Sequence, residues 1–409
     1  QEEEEEEDVV IVGDAVGDGE KEEEVEPIEE YVPGGYHPVA IGDVYNGMYQ
    51  VIAKLGFGRF STVWKCKKAH TEQLFALKIV KSAPKFAQPA RDEIELLRDV
   101  ENGDASDPHR NKVVHLYDTF NLTGANGTHI CMVFEPLTCN LLKLIIKSDY
   151  KGIAIDKVKT ISRQILEGLN YLHTKCQIIH TDLKPENILA TIVNDEITEV
   201  KIADLGNACW IDHKFHPEIS TKEYRSPEVL VRVGYSTPTD IWSTACIVYE
   251  LAVGDYVFEP NDAEDGSYSS DAEHLALIAD MFGSLPAAVY RTGSRWNLYF
   301  DQRGRLLHRT GFIPCSLSNV LQDDFKWSQE NARELSSFLM PMFALNPSGR
   351  ATAAQCLQHE WLQPRSRRPA PAAAAAAEGE ERMEYRLADD IQDLAPFAVY
   401  RELGEEEEE

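Results

Sequence analysis

Apolar positions follow two distinct rhythms along this chain. From Tyr49 to Leu55 and from Ser61 to Lys67, side chains alternate and are rich in β-branched residues, the pattern of half-buried strands. Phe75 to Lys78 reads as a further strand that ends in a lysine. Helical spacing takes over in Arg91 to Arg98 and again from Lys157 to Lys175, where Val158, Ile161, Ile165, Leu169 and Leu172 make one stripe at intervals of three and four. That stripe reads as core. Asp240 opens another helix, strongly apolar through Leu251.

Composition narrows the class. A chain of 409 residues with 43% hydrophobic and 9% aromatic content can bury one large core. No run of about 18 apolar residues occurs, so no membrane span is expected. No secretory signal is read at Gln1. The eight cysteines are scattered without a CxxC spacing, which argues against a disulfide or zinc framework and for a reducing, intracellular setting. The sequons at Asn121 and Asn126 are then expected to be idle.

The net charge of −29 belongs to the ends. Residues 1–30 hold 16 acids and one lysine, and residues 378–409 hold 13 acids and three arginines, leaving the middle nearly neutral. Poly-Glu ends and the Pro/Ala run from Pro369 to Ala377 are low-complexity and predicted to be disordered. Tails that repel phosphate and a middle without basic excess exclude direct nucleic-acid binding.

Chemistry concentrates in His180-Thr181-Asp182-Leu183-Lys184-Pro185-Glu186-Asn187, followed by Asp204-Leu205-Gly206. A carboxylate, an ammonium and an amide share one short loop, with a second carboxylate 17 residues after Asn187. The grouping suits phosphoryl transfer, which needs charges placed in line with the moving phosphate. Asp182 would accept the proton of an incoming hydroxyl, Lys184 would steady the phosphate, and Asn187 with Asp204 would hold Mg2+. Upstream, Gly56-Phe57-Gly58-Arg59-Phe60-Ser61 joins the first two strands, and its glycines let backbone N–H groups close over phosphates. Ser61 stands where a third glycine is usual. Lys78 ends the next strand, and Glu93 is placed to pair with it. Downstream, Ser226-Pro227-Glu228 closes a segment that begins at Asp204, and Arg350 is the expected buried partner of Glu228.

Together and in this order, these elements resemble the eukaryotic protein kinase family over roughly residues 45–365. The resemblance implies an α+β, bilobal fold with a small β-rich N-lobe and a larger helical C-lobe. Boundaries follow: an acidic tail at 1–35, the N-lobe at 36–137, the C-lobe at 138–365, and a Pro/Ala and acidic tail at 366–409. ATP would lie against Leu55, Gly56, Gly58, Ser61, Val63, Ala76, Lys78, Phe134, Glu135 and Leu137, with Asn187 and Asp204 reaching its phosphates through the metal. Thr221 is expected near Asp182 and Lys184, shaping the substrate site.

Within that family, Gly127 to Glu135, Ile202 to Trp210, Ile241 to Cys246 and Gly254 to Pro260, with His180-Thr181-Asp182, look like the SR-protein kinases. That resemblance implies phosphorylation of serines in Arg-Ser-rich splicing factors, a monomer, and a place in cytoplasm and nucleus. LAMMER kinases, with broader hydroxyl choice including Tyr, are the alternative. Glu273 to Leu277 is similar to their signature, but Leu277-Ile278 departs from it and they usually read Asp-Phe-Gly. A pseudokinase scaffold for Arg-rich partners is a third reading, set against the presence of Lys78, Glu93, Asp182, Asn187 and Asp204.

A basic substrate has its own physical rationale. Asp255, Glu259, Asp262, Glu264, Asp265, Asp271, Glu273 and Asp280 lie in a stretch with no Lys or Arg, and carboxylates can take guanidinium forks bidentately. By analogy Asp255, Glu273 and Asp280 fall at or near the family's acidic docking positions. Thr181 replaces the arginine that in many kinases clamps a phosphorylated loop, which predicts activity without activation-loop phosphorylation. SR-protein kinases usually carry a long spacer before the magnesium Asp. Here only Ala190 to Val200 joins Leu189 to Lys201. Arg365-Ser366-Arg367-Arg368 offers an Arg-Ser dipeptide that reads either as a site of autophosphorylation in trans or as a basic linker.

Overall fold

The structure is a computed structural model and describes residues 26–136, 139–310 and 315–363. Leu137, the Arg-Ser dipeptide at 365–366 and both poly-Glu ends lie outside the described residues.

Strands β1 (Val44–Tyr45), β2 (Tyr49–Gly58), β3 (Ser61–Lys68), β4 (Leu74–Val80), β5 (Leu116–Gly124) and β6 (Gly127–Phe134) form one antiparallel sheet in the order β1-β2-β3-β4-β6-β5. Alternation sorts the sheet's two faces. Val51, Trp64, Leu77 and Val133 pack with Tyr49 and Phe75 on the outer face. Val63, Ala76, Met132 and Phe134 face the main core instead. Helix α1 (Pro84–Asn102) starts with proline at its first position, where no amide hydrogen is needed, and buries Ala90, Glu93, Ile94, Leu97 and Val100. Glu93 is the charged member of that stripe.

Residues 26–35, assigned above to an acidic tail, are folded onto this lobe. Glu26 pairs with Lys54 and Glu30 with Lys81. The folded unit therefore starts earlier than residue 36. Composition hid this, because Tyr31 and Tyr36 are the apolar anchors in a run otherwise read by its glutamates.

The second lobe is helical. After β7 (Cys139–Asn140) come α2 (Leu141–Lys147) and α3 (Ile155–Tyr171), which buries Val158, Ile161, Ile165 and Leu169. A π-helical turn at Leu172–Cys176 extends α3 and ends at Gln177 with φ 57°. Strands β8 (Ile178–Ile179), β9 (Ile188–Val193), β10 (Glu196–Ile202) and β11 (Cys209–Trp210) carry the loops of the site. Helices α4 (Pro227–Val231), α5 (Pro238–Val253) and α6 (Ser270–Phe282) follow. Every residue of α5 from Thr239 to Val253 is buried, as expected of a helix apolar all round.

Where the family's spacer would fall, β9 and β10 form a tight hairpin. Asn194 and Asp195 sit at its turn with φ 51° and 61°, the left-handed pair that two-residue hairpins favour.

Candidate active site

Two groups of polar residues face one another across the lobes. On the N-lobe side, the Lys78 ammonium lies 2.9 and 3.1 Å from the two Glu93 carboxylate oxygens and 3.4 Å from Asp204 Oδ1. Lys78 is placed by the β3–β4 ladder, opposite Val63, and Glu93 by the buried face of α1. Burial works against the Lys78 charge, but Glu93 and Asp204 outweigh it and keep the ammonium protonated. Burial opposes the Asp204 charge too, and Lys78 with His180 overcomes it, holding that carboxyl below its usual range. Glu93 is pushed up by burial and by Asp204, against the pull of Lys78.

On the C-lobe side, Asp182 and Lys184 sit on the loop between β8 and β9, both nearly buried. Asp182 Oδ1 accepts from the Thr221 amide at 3.0 Å and from its hydroxyl at 2.8 Å. Asp182 Oδ2 lies 3.5 Å from Lys184 Nζ and 3.4 Å from Asn207 Nδ2. Asn187 donates to the Asp182 carbonyl at 2.9 Å, while its side-chain oxygen is buried without a hydrogen-bond donor. That amide oxygen and the Asp204 carboxylate are hard oxygen donors of the kind Mg2+ takes along with phosphate oxygens and water.

Asp240, at the start of α5, builds the loop. Its carboxylate accepts from the amides of His180 and Thr181 at 2.8 and 2.9 Å and from His173 Nε2 at 2.8 Å. These bonds hold Thr181 at φ 70°, a left-handed conformation costly for a β-branched residue. His180 takes the Asp182 amide on Nδ1 (3.3 Å) and donates from Nε2 to the Ala203 carbonyl (2.9 Å), so the ring bridges the loop of Asp182 and the residue before Asp204.

The segment after Asp204 is fastened along its length. The Thr181 hydroxyl donates to the Asn207 carbonyl at 2.7 Å, and Ser220 donates to the Thr181 carbonyl at 2.7 Å. The Arg225 guanidinium binds the carbonyls of Ile219 and Ser220. Trp210 Nε1 donates to Asp99 on α1 at 2.8 Å, joining this segment to the helix that carries Glu93. Further on, Glu228 and Arg350 form a buried two-pronged pair at 2.6 and 2.9 Å.

The flap Gly56–Ser61 closes β2 onto β3, with Gly58 opposite Ser61. Gly58, Ser61, Lys78, Glu93 and Asp204 line one cavity of about 640 Å³ that runs out past α1 toward His216. Val63, Ala76 and Phe134 are buried on the inner face of the sheet, with Leu55 packed against the same core. The Glu135 side chain accepts from the His115 amide and pairs with Lys201 at 2.6 Å.

Residues 49–362 match the protein kinase domain family. SRSF protein kinase 3 of Homo sapiens is 33% identical over 521 aligned positions, covering 85% of this chain and 92% of the relative. The serine/threonine-protein kinase SRPK of Physarum polycephalum is 39% identical, covering 83% and 91%. This chain is a serine/threonine protein kinase of the SR-protein kinase family. Serine/threonine-protein kinase spk-1 of Caenorhabditis elegans is 33% identical across 85% of the chain, which spans about half (51%) of that relative's length. The alignment with the human kinase is longer than this kinase's 409 residues, so the human protein has segments that this kinase lacks.

The acidic stretch is divided by the structure of the kinase. Asp255, Glu259, Asp262, Glu264 and Asp265 are exposed and form no ion pair among the described residues. Asp271 is taken by Arg225 and Arg295, Glu273 is bonded to His308, and Asp280 accepts from Thr310. A count of charges along the sequence gives no sign of these partners. His274 is wholly buried beside Phe258 and pushed down to about 3 by burial, so it is a neutral core residue. Sequence reasoning also passed over Asp240 as an anchor, Asn207, Trp210 with Asp99, and Tyr36. Of these, Asp240 had a signal: a carboxylate heading an otherwise apolar helix demands buried donors. Among the described residues no helix is long and apolar enough to cross a membrane.

Proposed function

We propose that this kinase transfers the γ-phosphoryl group of ATP to serines in Arg-Ser-rich proteins of the splicing-factor type, without needing activation-loop phosphorylation. The observation that carries the chemistry is that Asp182, held by Thr221 beside Lys184, is linked through Asn207 to the segment opening at Asp204, whose carboxylate meets Lys78 and, through it, Glu93 of the N-lobe. Asp182, held at one oxygen by Thr221, keeps its other oxygen toward Lys184 and the incoming serine. It accepts the hydroxyl proton as the serine oxygen bonds to phosphorus and the bond to the ADP oxygen breaks. Lys184 stays close enough to follow the charge on the transferred group. Lys78, fixed by Glu93, orients the remaining phosphates. Mg2+, held by Asn187 and Asp204, would neutralise phosphate charge. Leu55, Val63, Ala76 and Phe134 supply an apolar slot for the base, completed by the backbone at Glu135.

Support for an Arg-rich substrate comes from the likeness to the SR-protein kinases and from the exposed acids at 255–265. Tyr256 lies edge-on to Tyr224, with ring centres 6.2 Å apart, so Asp255 stands beside the end of the segment that frames the acceptor. Carboxylates there, with Glu273 and Asp280 at the margin, would draw in a polycationic peptide. We assign the protein to cytoplasm and nucleus, acting as a monomer. Phosphate transfer to an Arg-Ser repeat peptide, compared with its Lys-Ser and Arg-Tyr forms, tests this reading. Equal use of the Lys-Ser form would remove the guanidinium preference.

A further inference from the structure

We infer that Tyr36 is a positioning residue for the nucleotide-binding flap. Its hydroxyl donates to the Gly58 carbonyl at 2.7 Å, inside the glycine-rich turn, and the residue is 2% exposed. A trans peptide is planar with C=O and N–H opposed. Fixing the Gly58 carbonyl on Tyr36 therefore turns the Arg59 N–H away from Tyr36 and sets the plane of the flap's tip. A second tether reinforces it, from the Lys81 amide to the Phe60 carbonyl at 2.9 Å.

Tyr36 is itself held from three sides. Asn126, in the β5–β6 turn, donates its side-chain amide to the Tyr36 carbonyl at 2.7 Å. The Asn126 carbonyl accepts from the Gly34 amide (2.9 Å) and the Ser82 hydroxyl (2.6 Å). The amides of Ser82 and Ala83, just before α1, donate to the carbonyls of Gly35 and Gly34. Gly34 has φ +90°, and a Cβ on Gly35 would fall 1.8 Å from the Glu30 carbonyl oxygen, so two glycines are required for this path. The Lys81 ammonium sits over the Tyr36 ring, 4.2 Å from its centre. Burial, then Glu30, pushes the Tyr36 phenol up to about 12, so it remains a donor at neutral pH. The segment 30–36 thus couples the flap to the start of the helix that carries Glu93.

A flap ordered before nucleotide arrives loses less freedom on binding. Tyr36→Phe keeps the ring and removes the one tether, and Asn126→Ala loosens Tyr36 from behind. Affinity for a fluorescent ADP analogue with Mg2+ is measured directly, beside KM for ATP, KM for peptide and Tm. Weakening of ADP binding and a rise in KM for ATP of about fivefold in both variants, the scale of one buried hydrogen bond, is expected with KM for peptide unchanged. Unchanged ADP affinity in Tyr36→Phe, or a lowered Tm with wild-type affinity in the folded protein, would overturn the inference and leave Tyr36 a strut. Failure of the wild-type protein to bind the ADP analogue would instead contradict the nucleotide site itself.

Discussion

The Thr181 hydroxyl donates to the Asn207 backbone carbonyl at 2.7 Å, tying the catalytic loop to the segment that follows Asp204. A neutral hydroxyl thereby holds the segment where an arginine would need a phosphate to balance it. Phosphatase treatment is expected to leave kcat unchanged. Thr181→Val, which keeps the shape and loses the bond, is expected to lower kcat about fivefold. Loss of activity on dephosphorylation would count against the tie.

Thr221 makes two bonds to one oxygen of Asp182. Removing the hydroxyl leaves that oxygen of Asp182 held by the Thr221 amide alone. Thr221→Ala is expected to lower kcat about tenfold with KM for ATP unchanged, as for loss of a hydrogen bond to a charged group. Thr221→Ser should recover most of the rate in the same steady-state assay.

Arg350 spends its donors on Glu228 and on the carbonyls of Ala344 and Pro238, with its guanidinium carbon 5.0 Å from the centre of the Trp242 ring. Glu228→Ala would strand a buried cation and is expected to cost about 3–5 kcal/mol in denaturant unfolding. A change within experimental error would mean the pair is not buried in solution.

Glu250, 4% exposed, is pushed up to about 8 by burial, then by Glu186, Asp255 and Glu223, although the Tyr224 hydroxyl at 2.7 Å favours its charged form. Its folded pKa lies above its unfolded value of 4.5, so the folded state binds the extra proton between these values. Its contribution to stability is complete below pH 4.5 and declines as pH rises toward 8. Between about pH 6 and pH 8 the wild type should lose roughly 2 kcal/mol through this group, and Glu250→Gln should not. Chemical denaturation at the two pH values measures the difference.

Among the acids proposed for docking, Asp255 is exposed and Asp280 is bonded to Thr310. Asp255→Ala is therefore expected to raise KM for an Arg-rich peptide more than Asp280→Ala does, while a short, weakly basic peptide is spared. KM values unchanged from wild type for both peptides in both variants would remove the docking role.

The pairing of Lys78 with Glu93 and of Arg350 with Glu228 could be read from sequence because motif order places each partner on a known element. The strands and the α3 stripe were equally legible, since period and burial agree along them. What could not be read depends on contacts between distant segments. Tyr36 meets Gly58 across 22 residues, and Trp210 meets Asp99 across 111, with no periodicity to announce either. Asp271 counted as an available acid in a run without cations, yet Arg225 and Arg295 reach it from elsewhere in the chain. Electrostatic availability is a property of the folded surface, not of the charge run.

Transfer of phosphate from Mg-ATP to an Arg-Ser repeat peptide, beside its Arg-Thr, Arg-Tyr and Lys-Ser variants and with Asp182→Ala as control, tests the central claim most directly. Strong preference for Arg-Ser, lost in Asp182→Ala, is the predicted result. Comparable labelling of the Arg-Tyr or Lys-Ser peptide would contradict serine choice or guanidinium recognition, and tight binding without transfer would contradict catalysis.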